Sequence, residues 1–80
     1  RRPPFVPRLP RVSPANLLRA LRKAGFLDDR QKGSHITLRH PQTGRRTVIP
    51  MHGQTLSVGL LSAIIKQAGL TPDELRALLQ

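Results

Sequence analysis

The apolar residues change their spacing twice along this 80-residue chain, and few folds accommodate such a pattern. Leu17, Leu18, Leu21 and Ala24 recur at the interval of a helix. From His35 to His40 the pattern alternates, with Ile36 and Leu38 pointing one way and His35, Thr37 and Arg39 the other. Leu61, Ile64, Ile65 and Ala68 then return to the i, i+3, i+4, i+7 stripe of an amphipathic helix. Neither a striped helix nor a one-sided sheet is stable uncovered, so the helices must bury the apolar face of the sheet. The opposite face is expected to stay polar and to show His35, Thr37 and Arg39 to solvent.

Local signals bound the elements. Ser13-Pro14 reads as an N-cap with proline at the first helical position, and Gly25 as the stop, giving a helix over about 14–24. Phe26–Gln31 reads as a first strand, although Asp28-Asp29 is poor strand sequence. Pro41-Gln42-Thr43-Gly44 is a turn, and Arg45–Ile49 a third strand ended by Pro50. Connections this short make the strands an antiparallel meander. A second helix follows over about 57–68, with Gly69 as its stop. Thr71-Pro72-Asp73-Glu74 is a capping box that opens a short last helix. The expected class is α+β, in the order α-β-β-β-α-α.

Residues 1–12 hold four of the eight prolines and four of the fourteen basic residues. Proline fixes φ and removes the amide donor, so this stretch reads as an extended arm ahead of a domain over 13–80. Without the arm, ten basic residues face four acidic ones, so the body is cationic in its own right. The whole chain carries a formal charge of +10, which points to a polyanionic partner. Only Phe5 and Phe26 are aromatic, which argues against a base-stacking platform. Cysteine is absent, which removes disulfides and fits a cytoplasmic protein. No apolar run reaches the roughly 20 residues of a membrane span, and no leader h-region follows the basic start.

The inventory limits the chemistry. A two-metal nuclease needs several convergent carboxylates. Of the four here, Asp73 and Glu74 belong to a helix start, and Asp28 and Asp29 should diverge as neighbours in an extended segment. His35, His40 and His52 lack zinc-ligand spacing, and no Walker-type phosphate loop is present, so no metal or cofactor is expected. RNA, however, supplies its own nucleophile in the 2′-hydroxyl. An enzyme acting on it needs a proton-transfer group such as histidine, and cations around the phosphate. His35 lies among Arg30, Lys32, Arg39, Arg45 and Arg46, with Ser34 as a hydroxyl donor and Gly33 allowing close approach of the backbone. His52, in the loop after Pro50, is a candidate second proton-transfer group. His40 falls on the Ile36/Leu38 side and reads as structural. Arg19, Arg22, Lys23 and Arg76 read as solvated helix faces.

Arg30-Gln31-Lys32-Gly33-Ser34-His35, Arg39-His40-Pro41, Gly44-Arg45-Arg46-Thr47, Pro50-Met51-His52-Gly53 and Ile65-Lys66-Gln67-Ala68-Gly69-Leu70-Thr71 together resemble the HicA (YcfA-like) toxins of bacterial HicAB toxin–antitoxin modules. The likeness runs from about Val12 to Gln80. It implies a double-stranded-RNA-binding-domain-like fold, a three-stranded antiparallel sheet with helices on one face. It implies an mRNA interferase, an endoribonuclease that arrests translation, with His35 as its active-site histidine. It also implies a HicB-like antitoxin that covers the active region and carries any DNA binding. The Leu27-Asp28-Asp29 and Ile36-Thr37-Leu38 segments depart from the family pattern, and Ser57–Ser62 lacks its basic residues. A non-catalytic RNA-binding module of the same fold would use the same cations without the histidine. A unit that only docks an acidic protein would show no RNA affinity at low salt.

Overall fold

The computed structural model describes residues 9–80. Its elements are α1 (Pro14–Lys23), β1 (Leu27–Lys32), β2 (His35–Arg39), β3 (Arg46–Pro50), α2 (Val58–Ala68) and α3 (Pro72–Leu78). The strands form one antiparallel sheet in the order β1-β2-β3. This is the α+β order expected from the changes in apolar spacing, and it is consistent with the double-stranded-RNA-binding-domain-like fold that the resemblance implies. Residues 1–8 of the expected arm lie outside the described residues.

Each helix begins where its cap lies. Ser13 accepts from the Asn16 amide at the start of α1, and Ser57 accepts from the Leu60 amide at the start of α2. At α3, Thr71 and Glu74 satisfy one another's backbone amides as a full capping box. Gly69 ends α2 in the left-handed region at φ 79, where a Cβ would also strike the Arg45 side chain.

The core is the side of the sheet covered by the helices. Ile36, Leu38 and Ile49 meet Leu17, Leu18 and Leu21 of α1, Leu61, Ile64 and Ile65 of α2, and Leu75 of α3 in one buried cluster. Thr47 is buried among them, and its hydroxyl donates to Gln67 Oε1 at 2.8 Å. The cluster starts before α1: Val12 is buried, Leu9 packs against it, and the Val12 carbonyl accepts from the Leu56 amide. Phe26 is a core residue rather than the first residue of β1, and His40 packs edge-on against it with ring centroids 5.1 Å apart. His40 uses both ring nitrogens. Nε2 lies 3.2 Å from the Ala24 carbonyl, and Nδ1 accepts from the Gln42 and Thr43 amides. That pattern fits the Nε2–H tautomer and makes His40 the clamp of the β2–β3 turn.

Two of the expected solvated cations turn out to be fasteners. Lys23 Nζ donates to the carbonyls of Leu78 and Gln80, tying α1 to the chain's end. Arg22 holds Asp28 with two hydrogen bonds, at 3.0 and 2.6 Å, and so joins α1 to β1. Arg19 contacts Asn16, and Arg76 pairs with Asp73 within its own helix. These side chains are exposed or nearly so, but the helix-face reading missed their partners because the partners lie on other turns and elements.

The Arg22 hydrogen bonds hold the Asp28 carboxyl below its ordinary range. A carboxyl whose folded-state pKa is lowered stabilises the fold above its unfolded pKa and loses that contribution as pH falls through the folded value. Thermal melts of the native chain and of Asp28→Asn should therefore differ near neutral pH, and the gap should close as pH falls below about 4. A gap that persists in acid would show that the variant acts through something other than this pair.

Candidate functional site

The helix-free face of the sheet is organised by register. Cross-strand partners project from the same face, with Cβ atoms about 5 Å apart. One row is Lys32, His35 and Pro50; the next is Arg30, Thr37 and Val48; the third is Leu27, Arg39 and Arg46. His35 therefore stands on the uncovered face with Lys32 beside it and Arg30, Arg39 and Arg46 in the rows beyond. All five of these side chains are exposed.

This layout depends on a bulge. Asp28 pairs with Leu38 and Arg30 with Thr37, so Asp29 is an extra residue in β1. Plain alternation from Leu27 would send Arg30 and Lys32 to the covered side. The inserted residue shifts the phase and turns both cations toward His35. Asp29 itself reaches across to Arg46, at 3.6 Å. The two adjacent aspartates thus diverge as expected, one to α1 and one to the open face.

A tight turn sets the position of His35. Lys32 and His35 pair directly, leaving Gly33-Ser34 as a two-residue hairpin loop. Gly33 has φ 59 and Ser34 does not have positive φ, the pattern of a turn with glycine at its first central position. The Ser34 carbonyl accepts from the Met51 amide, which fastens the turn to the segment leaving β3. Met51 packs against the core, and His52 beside it stays exposed. The rings of His35 and His52 meet edge to face, with centroids 5.9 Å apart and planes at 69°. Among the described residues, neither imidazole has a side-chain hydrogen bond or an ion pair, in contrast to His40.

Arg45 is not with the others. Alternation places it opposite in sense to Arg46, and its guanidinium donates to the Gln67 carbonyl at 3.4 Å, at the negative end of α2. Period-two counting from Thr47 would have found this. The open face is also less polar than expected: Val48 is 42% exposed and Leu27 60% exposed upon it. Val48 follows from the same counting; Leu27 faces this way because it precedes the bulge. Among the described residues, no three His, Cys, Asp or Glu side chains come together. No helix among them is long and apolar enough to cross a membrane.

The order of elements and the sequence blocks around this face can be compared with known families. The family described as HicA toxin of bacterial toxin–antitoxin matches residues 15–70. That span takes in α1, the whole sheet and α2. The chain belongs to the HicA toxin family. A HicA toxin is one half of a pair, so an antitoxin partner is implied for this chain. No curated protein matches the sequence. The HicA match covers every residue of the open face named above, and it ends just before α3.

Proposed function

We propose that this HicA toxin is a metal-independent endoribonuclease that cleaves mRNA and so arrests translation in the cytoplasm. The observation that carries the reading is the His35 imidazole, exposed on a sheet face among Lys32, Arg30, Arg39 and Arg46 and, among the described residues, without a side-chain hydrogen bond or ion pair. The cations hold the phosphates, and Ser34 at the turn adds a hydroxyl donor. His35 transfers a proton to or from the reacting ribose-phosphate. The nucleophile comes from the RNA, as the 2′-hydroxyl. With few aromatic or amide side chains on this face, sequence preference is weak. Arg45, engaged at the end of α2, is left out of the RNA contacts. The partner is a HicB-like antitoxin whose acidic surface covers the same face, and any DNA binding belongs to it.

The test is cleavage of single-stranded RNA by the purified chain in EDTA, alongside binding measured across a salt series. Cleavage should proceed in EDTA. Log affinity should fall with log salt at a slope of about −3, from roughly −0.7 for each phosphate met by Arg30, Lys32, Arg39 and Arg46. Binding with no cleavage would leave a non-catalytic RNA-binding module. No affinity even at low salt would remove RNA as the ligand.

A further inference from the structure

We infer that His52 is a second catalytic residue, and that His35 and His52 divide the two proton transfers of RNA cleavage between them. The inference deepens the endoribonuclease reading and rests on it. Cleavage through the 2′-hydroxyl has two proton problems. The O2′–H proton must leave as O2′ bonds to phosphorus, and the O5′ must gain a proton as the P–O5′ bond breaks. One product ends in a 2′,3′-cyclic phosphate and the other in a 5′-hydroxyl, so no atom is gained or lost overall. In an in-line displacement O2′ and O5′ lie on opposite sides of the phosphorus. A single imidazole held on a strand cannot lie against both, so a second group is wanted on the other side.

The fold supplies one. His52 lies seventeen residues after His35 in sequence, but the Ser34–Met51 hydrogen bond brings the two segments together. Met51 is half-buried and packs against the core, which holds the neighbouring His52 just beyond the end of β3. The ring centroids are 5.9 Å apart and the planes steeply inclined. Direct proton transfer needs about 3 Å between heavy atoms on each side, and the two rings stand side by side in contact, so a phosphodiester laid across the pair can present O2′ to one ring and O5′ to the other. Both imidazoles are exposed and, among the described residues, have no other side-chain hydrogen bond or ion pair, while the third histidine of the chain has both nitrogens occupied by the fold. No carboxylate competes for the role. Asp28 and Asp29 are held by Arg22 and Arg46, and Asp73 and Glu74 serve α3. The 51–56 loop itself carries no charged residue.

The experiment compares the native chain, His35→Ala and His52→Ala on two RNA substrates. One has the natural phosphodiester; in the other, sulfur replaces the bridging 5′-oxygen at the cut site. A thiolate leaves without needing a proton, so loss of the group that protonates the leaving atom is forgiven on the sulfur substrate, and loss of the group that takes the 2′ proton is not. On natural RNA each variant should lose about 10²–10⁴-fold in rate. On the sulfur substrate one variant should regain most of that loss and the other should not, which also tells which histidine is the acid. If His52→Ala cuts natural RNA at the native rate while His35→Ala does not, the division of labour is overturned and the endoribonuclease reading stands. If both variants are equally impaired on both substrates, His52 is positional only and the inference falls. If both cut at the native rate, the role given to His35 falls as well.

Discussion

His35→Ala will bind RNA and fail to cut it. Removing a proton-transfer group costs about 10²–10⁴-fold in rate. The side chain is exposed, touches only the exposed His52 ring among the described aromatic groups, and lies at the end of a strand, so the fold should change by no more than about 0.5 kcal/mol. The four cations that hold the backbone remain, so affinity and its salt dependence should be those of the native chain. A gel of total RNA after expression, beside binding and melting curves of the purified variant, reads all three quantities. Loss of binding together with cleavage would mean that His35 grips the strand rather than transfers a proton. Undiminished cleavage would remove it from the chemistry.

The largest effect on stability is expected at Leu38. It is fully buried on the central strand, between β1 and β3 and beneath the helices. Truncation of such a leucine to alanine costs about 2–5 kcal/mol, because the cavity left behind cannot fully collapse. A domain of this size buries a modest fraction of its surface and has little stability to lose. At roughly 4–8 °C per kcal/mol, the midpoint of Leu38→Ala should fall by at least about 8 °C in a thermal melt. Val48→Ala, one strand away on the open face, should melt close to the native chain. If the two variants melt alike, the assignment of the covered face is wrong.

Much of this architecture could be read before any coordinates, and the reasons are specific. The caps at Ser13 and Thr71 are local chemistry, so the starts of α1 and α3 were legible to the residue, whereas the second helix was read from its cap, Ser57, one residue before α2 begins. The Ile36/Leu38 alternation gave the face of β2, and through it the exposure of His35 and the burial side of His40. The position of β1 was less legible: all six of its residues are exposed, so it carries no apolar face and exists through pairing with β2. Its bulge left no trace in residue type beyond two adjacent aspartates, because a bulge is decided by which partner each residue finds. The same limit hid the Arg22–Asp28 and Lys23–Leu78 contacts. Arg45 is different: the period that buries Thr47 already turned it away from Arg46, and treating the basic run as one cluster obscured this. The nearness of His52 to His35 depends on one backbone hydrogen bond across a loop, which no spacing rule anticipates.

All four side-chain carboxylates are engaged within the fold, and among the described residues Asp29, through Arg46, alone offsets a cation of the open face. The isolated chain therefore behaves as a small polycation with an unguarded side. Prepared without its antitoxin, it should adhere to cellular nucleic acid and to any cation-exchange matrix, and release them only in concentrated electrolyte. On the proposed reading, its free concentration in a cell is then governed by competition between nucleic acid and the antitoxin for one face.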